Sequence, residues 1–139
     1  AAALALGCEG VWCGSIWLKT VQSEVPPEIK AKMFEASADD AILTKSVTGK
    51  PCRTLNNKFS QAWNAPGAPA MLPAPLQNYL WWQEGRSRVE RVRAKDFLTY
   101  PVGQIVGDMK EETSVKEVVY DFINELLESK ERMDRMLGE

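Results

Sequence analysis

The tightest constraint on this chain is a three-residue apolar run, Val11-Trp12-Cys13, set between a helix-ending glycine and a Gly14-Ser15 turn. Residues 1–6 are alanine and leucine, which favours helix, and Gly7 stands where a C-cap glycine belongs. Helix, turn, fully apolar strand, Gly-Ser, then a second apolar run (Ile16-Trp17-Leu18) is the element order of a parallel α/β protein. A parallel strand needs neighbours on both sides for its backbone hydrogen bonds. Nothing downstream offers a comparable series of strands. The expectation is a piece of a larger parallel architecture that starts inside a helix.

The remaining chain reads mostly as helix and loop. Pro26-Pro27-Glu28 opens a helix expected to reach about Ser37, with Ile29, Met33 and Phe34 on one face. Ala41 to Val47 reads as extended, Thr48-Gly49-Lys50-Pro51 as a turn, and Arg53 to Trp63 as helix, because Leu55, Phe59 and Trp63 recur at helical spacing. Pro66, Pro69, Pro73 and Pro75 make residues 64–75 a loop. Leu76 to Gln83 reads as a buried helix, Arg86 to Asp96 as a charged segment, and Tyr100 to Gly107 as a tight loop. Ser114 and Glu117 have the spacing of a capping box. From Val115 to Met136 an apolar stripe (Val118, Val119, Phe122, Ile123, Leu126, Leu127, Met133) predicts a long helix ended by Gly138. So long a stripe calls for a second layer to cover it.

Composition narrows the function classes. A net charge of −2 argues against a dedicated nucleic-acid binder. No stretch approaches the ~20 apolar residues of a membrane span. Cys8, Cys13 and Cys52 form no Cys-x-x-Cys pair, so neither a disulfide framework nor a metal site is expected, and free thiols fit a reducing, cytoplasmic setting. A lipoprotein leader ending at Cys8 is disfavoured by the missing basic segment and the short apolar run. The chain has no histidine, so a general base must be a carboxylate, lysine or tyrosine, or lie outside it.

Gly14-Ser15 is the first candidate site. A phosphate at a strand-to-helix turn needs a glycine for close backbone approach, amides at a helix start and, as a help, a hydroxyl. The plain alternative is a turn and N-cap with no ligand. Thr48-Gly49-Lys50-Pro51-Cys52-Arg53 lacks P-loop spacing. It reads as a strand-to-helix turn with Arg53 on the first helical turn, or as Lys50 or Arg53 facing an anion. Gly103-Gln104 could bring an amide near a cofactor or serve as a hinge. Arg86, Arg88, Arg91, Arg93 and Lys95, diluted by Glu84, Glu90 and Asp96, read as a solvated face rather than a dinucleotide landing strip. Trp63, Trp81 and Trp82 read as core or pocket wall, and Cys13 as a small packed residue.

Taken in order, Ala3-Leu4-Ala5-Leu6-Gly7, Gly10-Val11-Trp12, Gly14-Ser15, Thr48-Gly49-Lys50-Pro51-Cys52-Arg53, Pro73-x-Pro75-Leu76-Gln77 and Pro101-Val102-Gly103-Gln104 resemble the C-terminal part of nitronate monooxygenases. The resemblance runs over essentially the whole chain. It implies an α/β fold, the C-terminal portion of a (β/α)8 TIM barrel. Residues 1–18 would be the end of helix seven, strand eight and the flavin phosphate turn. Residues 19–106 would be a mostly helical lid, and 107–139 the returning helix eight. Trp12, Cys13, Gly14 and Ser15 would then touch FMN, with Ser15 in place of the family's usual threonine. Lys50, Arg53, Gly103 and Gln104 would lie toward flavin or substrate. The family's catalytic histidine would lie upstream, in the missing N-terminal barrel, leaving no catalytic residue here and an inactive isolated fragment. Implied substrates are a nitronate or nitroalkane, with NAD(P)H:quinone or enoyl reduction as alternatives within the family. Two readings compete: another enzyme on a related phosphate-binding barrel, which leaves the later blocks unexplained, and a stand-alone helical interaction module without cofactor.

Overall fold

The computed structural model describes residues 1–138. They fall into two compact units: Val25–Lys110, and Ala1–Glu24 together with the chain from Glu111 onward. Helix α1 (Ala2–Ala5) ends as its sequence dictates. Gly7 takes φ +93, its amide donates to Leu4 O at 2.9 Å, and the Cys8 amide donates to Ala3 O at 3.0 Å. These two bonds are a Schellman closure, whose left-handed residue is glycine because a Cβ there would clash. The expected parallel strand finds no neighbour among the described residues: Val11-Trp12-Cys13 forms no ladder there. A strand exists only through its pairing, and nothing in the described chain lies alongside to accept or donate. The chain then tightens into a 3-10 helix, Ser15–Lys19.

The 25–110 unit is built around a hairpin. Helix α2 (Pro27–Glu35) buries Ile29 and Met33, which share one face four residues apart. Strand β1 (Ala41–Thr44) pairs antiparallel with β2 (Cys52–Leu55) in the register Ala41↔Leu55 through Thr44↔Cys52. This corrects the helix expected from Arg53. The Thr48-Gly49 turn folds the chain back, so residues 52–55 gain a ladder, and pairing overrides the helical spacing of Leu55, Phe59 and Trp63. Helix α3 (Lys58–Asn64) starts only after Asn57, whose side chain accepts the Ser60 amide. A third extended segment joins β2 from fifty residues on: the Leu55 amide donates to Tyr100 O at 3.2 Å and the Val102 amide to Arg53 O at 3.1 Å.

Helix α4 (Leu76–Tyr79) passes through a π-helical turn, Leu80–Gly85, into α5 (Arg86–Arg91). The helix expected to be buried over Leu76 to Gln83 is buried only at Gln77 and Trp81, while Leu76, Tyr79 and Leu80 are exposed. Trp81 stacks on Phe59 with ring centroids 4.1 Å apart, and Phe59 meets Trp63 edge to face. Trp81 is therefore core, as expected of that residue, whereas Trp82 is exposed under the Arg86 guanidinium at 4.3 Å. Helix α5 closes on Arg93, at φ +48, with the Arg93 amide on Glu90 O and the Ala94 amide on Val89 O. Left-handed backbone suits glycine, not a residue with a Cβ. Arg93→Gly is expected to raise stability by about 1 kcal/mol in urea unfolding. A loss of stability would mean the arginine side chain holds more than its backbone costs.

Helix α6 (Val115–Leu137) follows the sequence closely, and Gly138 ends it in the left-handed conformation. Ser114 and Glu117 form the expected capping box. The Glu117 carboxylate accepts the Ser114 amide at 2.7 Å, the Ser114 hydroxyl at 2.8 Å and the Thr113 hydroxyl at 2.7 Å. These donors, the Ser114 amide foremost, hold its pKa down at about 2, against an ordinary 4.5. A depressed carboxylate stabilises fully above its unfolded pKa and loses that contribution as pH falls through its folded one. The α6 cap should be intact from neutral pH to about 4.5 and fail between there and 2. Backbone exchange at residues 114–118 reads this directly, and Glu117→Gln should flatten the profile. The same unit is tied by the Val21 amide to Thr113 O (2.8 Å), the Thr113 amide to Lys19 O (3.2 Å), and Trp17 set edge-on to Phe122. Yet α6 buries only Val118 fully, and Phe122, Ile123, Leu127, Met133 and Met136 stay exposed.

Candidate functional site

Gly14 stands at φ −111, ψ −74, a backbone that residues with side chains also adopt. A Cβ built there would meet no atom within 4 Å. Neither backbone angle nor packing within the chain therefore demands glycine at this position. The turn itself is braced: the Trp17 indole Nε1 donates to Cys13 O at 2.8 Å and the Trp17 amide to Gly14 O at 3.2 Å. The 3-10 helix begins at Ser15, and the first amides of such a segment lack intrahelical acceptors. Trp12 is fully exposed and Cys13 half-buried with a free thiol. Braced backbone, an amide-bearing start and open approach at a glycine suit an anionic group brought in from outside.

The same unit carries a groove of about 380 Å³ walled by Leu4, Val11, Phe122, Ile123 and Leu126. It shares Val11 with the apolar run but not Gly14 or Ser15, so it is a feature distinct from the turn. The exposed side chains of Val11, Trp12, Phe122 and Ile123 make an apolar surface of a kind that marks contact with another polypeptide surface. No helix of the described residues is long and apolar enough to cross a membrane. Among the described residues no group of three or more Cys, Asp or Glu side chains is placed to hold a metal ion.

Lys50, Arg53, Gly103 and Gln104 belong to the 25–110 unit. The structure brings two of their blocks together, since the Val102 amide donates to Arg53 O. Arg53 lies on β2, not on a first helical turn, and its Nη1 donates to Ala41 O. A guanidinium committed to its own hairpin is a brace, with less to offer an anion. Lys50 is exposed beside Thr48, whose hydroxyl accepts the Lys50 amide at 3.2 Å. Gly103 precedes a 3-10 helix, Gln104–Asp108, and Gln104 is exposed at its start. The basic cluster is largely a solvated face, as expected: Arg86 pairs with Glu90 and Arg88 with Glu84 across helical turns. Sequence reasoning gave no role to Gln77, which is fully buried with both ends of its amide bonded. The available signal was a carboxamide two residues after Pro-Ala-Pro, beside the apolar Leu76, Leu80 and Trp81.

A family model described as nitronate monooxygenase matches residues 1–125. A Mycobacterium tuberculosis protein named as a putative monooxygenase is 39% identical over 93% of this chain, which corresponds to 36% of that protein. A Bacillus subtilis protein named as a probable nitronate monooxygenase is 33% identical over 89% of the chain and 35% of its own length. Among solved structures, a mutant FabK from Thermotoga maritima superposes with a TM-score of 0.64 at 26% identity, over 95% of this chain and 38% of that one. The chain thus spans about a third of the length of the relatives it matches. Such a likeness fits a portion of an α/β barrel enzyme, in keeping with the resemblance read from the motifs.

Proposed function

Because the chain belongs to the nitronate monooxygenase family, we propose that it forms the C-terminal portion of an FMN-dependent oxidoreductase acting on nitronates or nitroalkanes. In this reading residues 1–18 supply the last barrel strand and the flavin phosphate turn, 19–106 a helical lid, and the final helix packs back on the barrel. Gly14 and Ser15 meet the phosphate, with Trp12 and Cys13 alongside. The observation that carries it is the unexplained glycine: Gly14 is free of both conformational and packing need, and it sits on a braced, amide-bearing turn within the matched region. FMN, when bound, supplies the electron transfer, and the protein binds, orients and excludes water.

The same reading accounts for two other features. The run Val11-Trp12-Cys13 would become a strand once neighbouring strands are present on both sides. The bare α6 stripe and the exposed Trp12 would be covered by the remaining two-thirds of a protein of the relatives' length. No residue of this chain is assigned as acid or base, and the family histidine is expected in that remainder.

The test joins this chain to the N-terminal two-thirds of the Bacillus subtilis relative in place of that protein's own C-terminal third. The chimera should hold FMN and oxidise a nitronate, and the chain alone should bind FMN only weakly. A folded chimera that takes no flavin would defeat the proposal. One that takes flavin but reduces only a quinone or an enoyl thioester would keep the cofactor and discard the nitronate.

A further inference from the structure

The motif Pro73-x-Pro75-Leu76-Gln77 has no part in the phosphate turn, and the structure supplies a reason for it. Gln77 is fully buried in the 25–110 unit. Its Nε2 donates to Ser46 O at 2.7 Å, and its Oε1 accepts the Leu72 amide at 3.0 Å. The two partners lie on different segments, one just before the Thr48-Gly49 turn and one in the proline loop. An independent contact joins the same segments: the space where a Gly49 side chain would begin is 2.6 Å from Ala74 N and 2.7 Å from Leu72 O. The turn and the loop are thus pressed backbone to backbone. Ser46 is itself fixed, its hydroxyl accepting from Thr44 Oγ1 at 3.0 Å and its amide donating to that oxygen at 3.1 Å. Thr44 ends β1, which pairs with β2, and β2 holds Tyr100 and Val102.

We propose that Gln77 is the positioning residue that locks the three motif blocks of this unit, 48–53, 73–77 and 101–104, into one assembly. A carboxamide is the group that fits, because it presents an acceptor and a donor at the same fork, where an ionised carboxylate of the same size offers acceptors only. Leucine fills the volume but leaves the buried Ser46 carbonyl and the half-buried Leu72 amide unpaired. Glutamate at neutral pH keeps the acceptor for Leu72 and sets a second oxygen against Ser46 O. The assembly presents Lys50, Gly103 and Gln104 on one framework. Only their use toward flavin or substrate rests on the function proposed above.

Hydrogen exchange of the 139-residue chain, resolved by residue, tests this in Gln77→Leu and Gln77→Glu. In Gln77→Leu, exchange at the Leu72, Gly49 and Val102 amides should quicken at least about tenfold, while α2 amides such as Met33 keep their native rates. In Gln77→Glu, Leu72 should stay protected and the quickening should fall on residues 46–50. A side chain that merely fills space would make both variants alike or loosen the whole unit evenly, and either result overturns the assignment. So does an unchanged rate at Val102. The readout involves no flavin, so failure to bind FMN would sink the proposed function and leave the Gln77 result standing.

Discussion

Gly49→Ala should cost the 25–110 unit about 2–5 kcal/mol, the largest loss expected from adding one methyl group anywhere in the chain. Two effects add. Gly49 holds φ +78, where a Cβ costs roughly 1–2 kcal/mol. The same Cβ would stand 2.6 Å from Ala74 N, 2.7 Å from Leu72 O and 2.9 Å from the Pro73 carbonyl carbon. These are backbone atoms of the loop whose Leu72 amide bonds to Gln77, so they cannot swing aside as a flexible side-chain tip would. Overpacking of this kind costs about 1–3 kcal/mol. Against a total stability of roughly 5–15 kcal/mol, a loss at the upper end would remove from about a third to all of it. Urea unfolding followed by the fluorescence of Trp63, Trp81 and Trp82 checks it, and a shift of less than about 1 kcal/mol would show that loop 72–74 yields freely.

Gly14→Val should show the opposite profile: no loss of fold and a large loss of ligand. The backbone angles at Gly14 accept a side chain, and nothing lies within 4 Å to obstruct one. The unfolding midpoint of the chain should therefore barely move. In the chimera the branched side chain would hold a phosphate away from the amides beyond it. Each charge-assisted hydrogen bond lost removes about 1.5–3 kcal/mol, so losing two weakens FMN by roughly 100-fold to 10,000-fold. Ser15→Ala removes only a hydroxyl and should weaken it about tenfold. A glycine needed only for the turn would give the reverse order, with stability falling and FMN affinity following it down.

What could be read from the sequence was local chemistry, and what could not was pairing. Gly7 and Gly138 end their helices, and the Ser114–Glu117 box opens α6, because each is settled by residues within one or two helical turns. The hairpin of β1 and β2 was half hidden. Leu55, Phe59 and Trp63 carry a helical spacing, and only the return of the chain at Gly49 gives residues 52–55 a partner. Val11-Trp12-Cys13 shows the same limit: its composition is that of a strand, but composition supplies no neighbour to bond with. At the candidate site, Gly14 and Ser15 stood out by type, and Arg53 did so too, before its guanidinium proved committed to Ala41 O. Gln77 was silent because a buried amide is recognised by its two partners, one of which lies thirty-one residues away.

The most direct test of the central claim is an FMN titration of the chimera and of its Gly14→Val variant, paired with urea unfolding of both. The account predicts tight flavin binding in the unsubstituted chimera, a loss of at least about 100-fold in the variant, and unfolding curves that superimpose. Equal FMN affinity in two equally stable proteins would contradict it, because the open glycine at the braced turn would then face no phosphate.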